Sequence, residues 1–357
     1  METVHFDCRY LRIDHHDGIS RYSAGLFTEL SKHTRLVAII NDERQLRHLP
    51  DNTEWVLLND PTSSAEAFAA FRLNRLGAKL VYSPMQTIGS LGRRFKLVLT
   101  LHDLIYYRHP APPPSMPLAV RIGWRLFHLA YWPQRLLLNG ADAVVTVSQT
   151  TADLIAKHRL TRRPVKVVHN GSAVSSPLGV DRTRPAGPQK LVYMGSFMGY
   201  KNVATLVRGM QALPGYELHL LSRISDGDRA ALQSLISTTG GSVVFHNGIS
   251  DQEYHALLSE AVALVHASQD EGFGIPLVEA MAKGTPVVVS DIPIFHEIGG
   301  ASAVFFSATD PVGFAAAVRE IEDPDRWQKV SRAALAQAER FSWQSSAQQL
   351  LTLLESL

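Results

Sequence analysis

The sequence has 357 residues, 45% of them hydrophobic and 19% charged, with a net charge of +2 at pH 7, an ordinary globular composition. The single cysteine, Cys8, excludes an internal disulfide and fits a reducing cytoplasm, and no apolar run nears the roughly 20 residues of a membrane-spanning helix. The small net charge hides an asymmetry: residues 1–187 carry 24 Lys+Arg against 15 Asp+Glu (+9), and residues 188–357 carry 11 against 18 (−7).

The length suits two domains of roughly 150–200 residues. A basic half joined to an acidic half implies different partners for each, and anionic lipid or a phosphorylated acceptor suits the basic one better than nucleic acid. The opening METVHFDCRYLRIDHHD scatters acids and histidines through its apolar positions, unlike a secretory signal. The expected location is the cytoplasm, with attachment to the inner membrane face as an option.

In chain order, a presumed first strand DCRYLRI (7–13) leads to Gly18, which opens the helical run ISRYSAGLFTELSKH (19–33). Strands follow at RLVAII (35–40), KLVYS (79–83), FKLVLT (95–100), DAVVTVS (142–148) and VKVVHN (165–170). VLTLHDLIYYRHP places His102 and Asp103 just past a strand end. There they suit acid/base work or substrate orientation, or a plain backbone hydrogen bond. The segment 112–140 interleaves Arg121, Arg125 and Arg135 with Trp124, Phe127, Tyr131 and Trp132. With Arg93, Arg94 and Lys96 it makes a candidate acceptor-side or membrane-surface patch; a domain helix with its aromatics in the core is the favoured alternative.

SSPLGVDRTRPAGPQK (175–190) lacks periodicity and reads as a linker. Beyond it, strands are expected at KLVYMG (190–195), YELHLLS (216–222), SVVFHN (242–247), AVALVHAS (261–268), PVVVS (286–290) and AVFFS (303–307). Near-continuous apolar strands linked by helices mean parallel sheets covered on both faces. YMGSFMGYKN sets Lys201 near a helix start, where a cation opposes the helix dipole unless an anion is bound. Asp226 and Asp228 stand where N-caps belong, so no metal site is assigned to them.

The most informative stretch is EGFGIPLVEAMAKGTP (271–286). Pro276 suits a first helical turn and Gly284 a helix end. Gly272 and Gly274 allow close backbone approach, so amides near Phe273, Gly274 and Ile275 can face a phosphate. Glu271 and Glu279 repel phosphate and suit neutral hydroxyls on either side of it, such as adjacent sugar hydroxyls or a ribose diol. Sugar, diphosphate and ribose in a row describe a nucleotide sugar.

In order along the chain, the Gly18 loop, TLHDL (100–104), ADAVVTVS (141–148), VVHNG (167–171), YMGS…YKN and EGFGIPLVEAMAKGTPVV resemble the retaining glycosyltransferases of family four, which have the GT-B fold. The resemblance covers nearly the whole chain. It implies two Rossmann-like doubly wound parallel-sheet domains facing a central cleft: an acceptor-side domain (1–174), a linker (175–189) and a donor domain (190–340). Residues 341–357, FSWQSSAQQLL onward, resemble the closing helix that crosses back to the first domain. The resemblance further implies that Glu271 holds donor-sugar hydroxyls, Glu279 the ribose, and Lys201 with the amides after Gly272 the diphosphate, aided by Gly18. Ile249 packs the base and His102 touches the sugar. Tyr200 and Ser196 stand where many members carry arginine, leaving Arg223 as a substitute cation. The implied reaction is metal-independent hexosyl transfer from a nucleotide sugar to a glycan or lipid-linked acceptor. GDP-mannose is the first donor candidate and a UDP-sugar the second, with a nucleotide-sugar isomerase or phosphorylase and a non-catalytic glycan-binding module as readings of other classes.

Overall fold

A computed structural model describes residues 2–13, 18–112, 118–172 and 182–357. The chain forms two compact units, residues 1–171 with 342–357, and residues 172–341.

The first unit is built on seven parallel strands: β1 (Val4–Asp7), β2 (Leu36–Ile40), β3 (Glu54–Leu57), β4 (Leu80–Ser83), β5 (Lys96–Leu101), β6 (Ala143–Thr146) and β7 (Val165–Val167). They run in the order β3-β2-β1-β4-β5-β6-β7. β1, β2 and β4 are buried along their whole length, as apolar strands with helices on both faces must be. β1 pairs with β2 in the register Val4↔Leu36 to Asp7↔Ile39 and with β4 from Val4↔Leu80. The first strand therefore ends at Asp7, and the expectation of a strand over 7–13 is corrected. The cause is Arg9, whose buried guanidinium folds back onto Asp7 (2.8 Å) and reaches Glu66 (2.7 Å). β3 has no counterpart among the expected strands.

Helix Gly18–Leu30 begins at the expected glycine, and the segment joining it to β1 includes residues 14–17, outside the described residues. The last helix, Trp343–Glu355, belongs to this unit and rests on helix Gly18–Leu30. Gly25 and Gly171 both lack the Cβ that would strike Trp343, and Tyr22 meets the Trp343 ring edge-on at 6.1 Å.

The second unit has six parallel strands: β8 (Gln189–Tyr193), β9 (Tyr216–Leu220), β10 (Ser242–Phe245), β11 (Ala263–His266), β12 (Val287–Ser290) and β13 (Ala303–Phe306). Their order is β10-β9-β8-β11-β12-β13. Chain order reverses at β8, so β8 and β11 are neighbours and the loops after them diverge from one opening. In sheets of this order, ligands bind at that switch point, beyond the strands' carboxyl ends. A core of Leu206, Val207, Phe314, Val318 and Trp327 covers one face of the sheet. Much of the 175–189 segment lies outside the described residues. From Arg182 on it is fastened to the second unit: Arg182 donates to the Lys283 carbonyl (2.7 Å) and Arg184 to that of Ile321 (3.2 Å).

Candidate active site

The loop after β8 ends in a short 3-10 turn, Gly199–Lys201, closed by Asn202 in the left-handed region (φ 49°). Its companion after β11 runs from Ala267 to Gly274, and the Gln269 N–H donates to the Tyr200 carbonyl (2.7 Å), tying the two loops together. Through this join the Lys201 ammonium reaches Glu271 Oε1 at 2.5 Å, although 70 residues separate them in sequence. Ser268 donates to the same oxygen (2.8 Å), and the Lys201 ammonium lies 5.3 Å from the Tyr200 ring centre. Both side chains are largely buried, with 14% and 9% exposed. Burial alone would raise the Glu271 carboxyl pKa; Lys201 and then the nearby His266 outweigh it, and the carboxyl sits below its ordinary value. Glu271 is therefore ionised at neutral pH.

Behind this pair lies His266, the last residue of β11, which is 2% exposed with neither ring nitrogen hydrogen-bonded. Burial, the largest cause, lowers its pKa to about 4, so the imidazole is neutral at pH 7. Its Cε1 would stand 3.5 Å from a Cβ on Gly195, at the start of the lysine loop.

Helix Ile275–Ala282 follows, with Pro in its first turn and Gly274 as N-cap at φ 97°. That conformation strains any residue that carries a Cβ, and it turns the chain so that amides at 274 and 275, which have no intrahelical acceptor, head the helix. Phe273 is buried and meets Phe341 edge-on at 5.7 Å. Gly272 is buried and Ile275 partly so. Glu279, one turn in, is 6% exposed and accepts from the Tyr254 hydroxyl at 2.9 Å.

Arg223 does not join the lysine. Its side chain lies over Gly248 (φ 99°), where a Cβ would meet Arg223 Cγ at 2.9 Å, beside Ile249. Asn247, also left-handed (φ 58°), accepts from the Ile224 N–H (3.1 Å). The loops after β9 and β10 thus form a second cluster on the same sheet edge. Ser225 caps helix Asp226–Gln233 through the Asp228 N–H (3.1 Å), with both aspartates in its first turn. Among the described residues no group of three His, Cys, Asp or Glu side chains could hold a metal.

In the first unit, His102 follows β5, and its Nε2–H donates to the Pro84 carbonyl (2.7 Å). Tyr22 meets the imidazole edge-on at 5.0 Å. Asp103 accepts from the Ile105 N–H (3.0 Å) and so caps the next turn. In the candidate patch, Arg93 pairs with Asp142 (2.6 Å) and donates to the carbonyls of Gly140 and Phe95. Lys96 stands 3.7 Å from the same carboxylate, so one half-buried acid offsets much of this charge.

Sequence reasoning missed Ser268, His266 and Tyr254. Ser268 had a visible signal, the Ser-x-x-Glu spacing ahead of the glycines; a histidine closing an apolar strand at the sheet's carboxyl edge was a second.

Two parallel sheets of the doubly wound kind, one carrying an ion pair and a glycine-led helix start at its switch point, define a two-domain α/β architecture suited to binding a phosphorylated ligand. Family models agree. Residues 180–339 match glycosyl transferases group 1, and residues 16–174 match Glycosyltransferase Family 4. The chain is 32% identical over 253 residues to the O-antigen chain mannosyltransferase RfbU of Salmonella typhimurium, covering 69% of this chain and 66% of that protein. It is 30% identical over 218 residues to a GDP-mannose:cellobiosyl-diphosphopolyprenol alpha-mannosyltransferase of Xanthomonas campestris, covering 56% and 57%. The alignments thus span about two thirds or less of these relatives' length. The fold matches that of Anabaena HepE in complex with UDP and glucose, with TM-score 0.70, 19% identity and 99% of both chains covered. The fold is GT-B, and the chain belongs to the group 1 and family four glycosyltransferases.

Proposed function

We propose that the protein transfers a mannosyl residue from GDP-mannose to a hydroxyl of a glycan or lipid-linked acceptor, with retention at the anomeric carbon and without a metal. The observation that carries this reading is the Lys201–Glu271 pair at the β8/β11 switch point, next to the Gly274-led helix start. Both mannosyltransferase relatives support the sugar, and the Xanthomonas campestris one also supports the base.

Lys201 and the amides at 273–275 hold the diphosphate, and Glu271 accepts from sugar hydroxyls. From β11 to β10 is three strand spacings of about 4.8 Å, roughly 14 Å. That suits a ligand stretched from sugar at Glu271 to base at Ile249, with Glu279 on the ribose and Arg223 over the base loop. In the transfer, the bond from C1 to the diphosphate oxygen breaks as the bond to the acceptor oxygen forms on the same face. The acceptor's proton passes to the departing diphosphate. Catalysis then consists of stabilising charge that develops on the leaving group, the task of Lys201 and the helix start.

A UDP-sugar is the second reading, favoured by the UDP and glucose held by the Anabaena protein of the same fold. A thermal-shift panel of GDP-mannose, UDP-glucose and their free nucleotides decides between the donors. GDP-mannose should raise the melting temperature most, and Glu271→Ala should abolish transfer while keeping the fold. No shift with any nucleotide sugar overturns the proposal.

A further inference from the structure

Helix Leu118–His128 turns one face inward, where Trp124 and His128 meet Tyr106 and Tyr107 at ring distances of 4.6 and 5.0 Å. The opposite face carries Leu118, Ile122 and Leu126, four residues apart, and Leu129 just past the end. They fall on one side of a helix and stand in solvent, Leu126 by 63% and Leu129 by 78%. The next helix, Trp132–Asn139, repeats the pattern: Gln134 and Leu138 are buried, while Trp132, Arg135 and Leu136 are exposed. Ordinary surfaces scatter single apolar side chains; a run of six over two successive helices marks a contact site.

Beside Leu136 four arginines, Arg135, Arg159, Arg162 and Arg163, line a cavity of about 1210 Å³. Arg135 donates to the carbonyls of His158 and Arg159 (2.8 and 3.2 Å), and Arg163 to that of Asn139 (3.1 Å). These are neutral acceptors. Among the described residues no carboxylate pairs with any of the four guanidinium groups, in contrast to Arg93 and its Asp142. Neighbouring His158 is held below its usual pKa by burial, with Lys157, Arg108 and Arg135 lowering it further.

We propose that this face of the first unit docks on an anionic phospholipid surface, with the leucine ridge entering the acyl boundary and the four-arginine basin taking phosphodiester headgroups. Guanidinium forks match phosphate oxygens two at a time, and aliphatic side chains beside them gain only where a hydrocarbon layer receives them. A single-stranded nucleic acid would call for aromatic stacking platforms, whereas the ridge is mostly leucine and isoleucine. An acidic peptide would satisfy the arginines but leave most of that ridge in water. The contact thus keeps residues 118–136 of the candidate patch, adds 159–163 and leaves out Arg93, Arg94 and Lys96. It goes beyond the transfer chemistry and stands without it.

Flotation of the intact chain with phosphatidylcholine vesicles, alone and mixed with phosphatidylglycerol, tests this. Binding should require phosphatidylglycerol and weaken with salt. Arg159→Gln with Arg162→Gln, whose side chains hold nothing else, should lower partition by about 25-fold, at roughly fivefold for each basic residue. Leu126→Ser with Leu129→Ser should also lower it at unchanged melting temperature and unchanged donor binding. Arg94→Gln with Lys96→Gln should leave it within about twofold. Equal binding to neutral vesicles, no binding to either, loss only with the Arg94/Lys96 variant, or capture of inorganic phosphate or RNA without vesicle binding overturns the proposal.

Discussion

Each unit holds a buried ion pair close to the carboxyl end of its sheet, and the two differ in how completely they are satisfied. In the first unit Arg9 spends its guanidinium on Asp7, Glu66 and the Asn59 carbonyl through five hydrogen bonds. Asp7 takes a further bond from Ser83 (3.0 Å). Burial works against the Arg9 charge, yet Asp7 and Glu66 raise its pKa. Among the described residues of the second unit, Lys201 uses one of its three N–H donors on a side chain, while Glu271 is engaged only through Oε1. A saturated cluster braces the fold. An ion pair with donors and an acceptor to spare is set to receive a ligand that brings its own.

The largest expected effect tests the saturated side of this contrast. Arg9→Ala leaves the buried Asp7 and the partly buried Glu66 without a counter-charge, and breaking such a cluster costs about 3–5 kcal/mol. Urea unfolding should show that loss, while the folded fraction keeps its donor affinity. A cost below about 1 kcal/mol would erase the distinction between the two clusters.

Next comes Lys201→Ala, whose loss should appear mainly in rate. Removing one charge-stabilising donor from a leaving-group site lowers kcat by roughly 10²–10³. Lys201→Arg should recover part of it. If both variants keep kcat and change only stability, the pair is structural like Arg9, and the contrast fails from the other side.

How much of this could be read beforehand depends on whether the signal is local. The glycine-led helix start, Pro276 and both glutamates stand in one stretch of sixteen residues, and the strands around them were placed within a few residues. The partnership of Lys201 with Glu271 was not legible, because it depends on β8 lying beside β11, and chain order does not state that adjacency. β3 was missed because Glu54–Leu57 is a largely exposed edge strand with no buried apolar run. The misplaced first strand has the opposite cause. Arg9 and Asp7 look like polar members of an alternating pattern, but they form a buried ion pair that ends the strand. Between residues 118 and 140, Trp124 and Tyr131 meet neighbouring rings, while the leucines between them face water.

His266 supplies the third expected effect, in acid. Its folded pKa of about 4 lies below the ordinary 6.5, so between those values the unfolded chain binds the proton and the folded one does not. Stability is therefore complete above about pH 6.5 and declines as pH falls toward 4. The loss is about 3 kcal/mol at 1.36 kcal/mol per pH unit. Glu271, also depressed, loses its contribution in the same direction but at lower pH. His266→Leu should flatten the curve between pH 6.5 and 4, and an unchanged slope there would assign the acid sensitivity to other groups.

The smallest effect bears on Glu279, the second unit's other candidate carboxylate. Tyr254 is buried, and its hydroxyl fixes one oxygen of Glu279 on the helix that the glycine loop starts. If that carboxylate is held in place to take a ribose diol, Tyr254→Phe lets it turn. The KM for a ribonucleotide donor should then rise about tenfold, equivalent to roughly 1.4 kcal/mol, with kcat within twofold. A 2′-deoxy donor, which offers no diol, should bind both proteins equally. A purely structural hydrogen bond predicts a different pattern, with a lower melting temperature and both donors weakened alike. The ratio of the two KM changes therefore separates a carboxylate that grips ligand, as Glu271 is proposed to do, from one that only braces the fold, as Asp7 does.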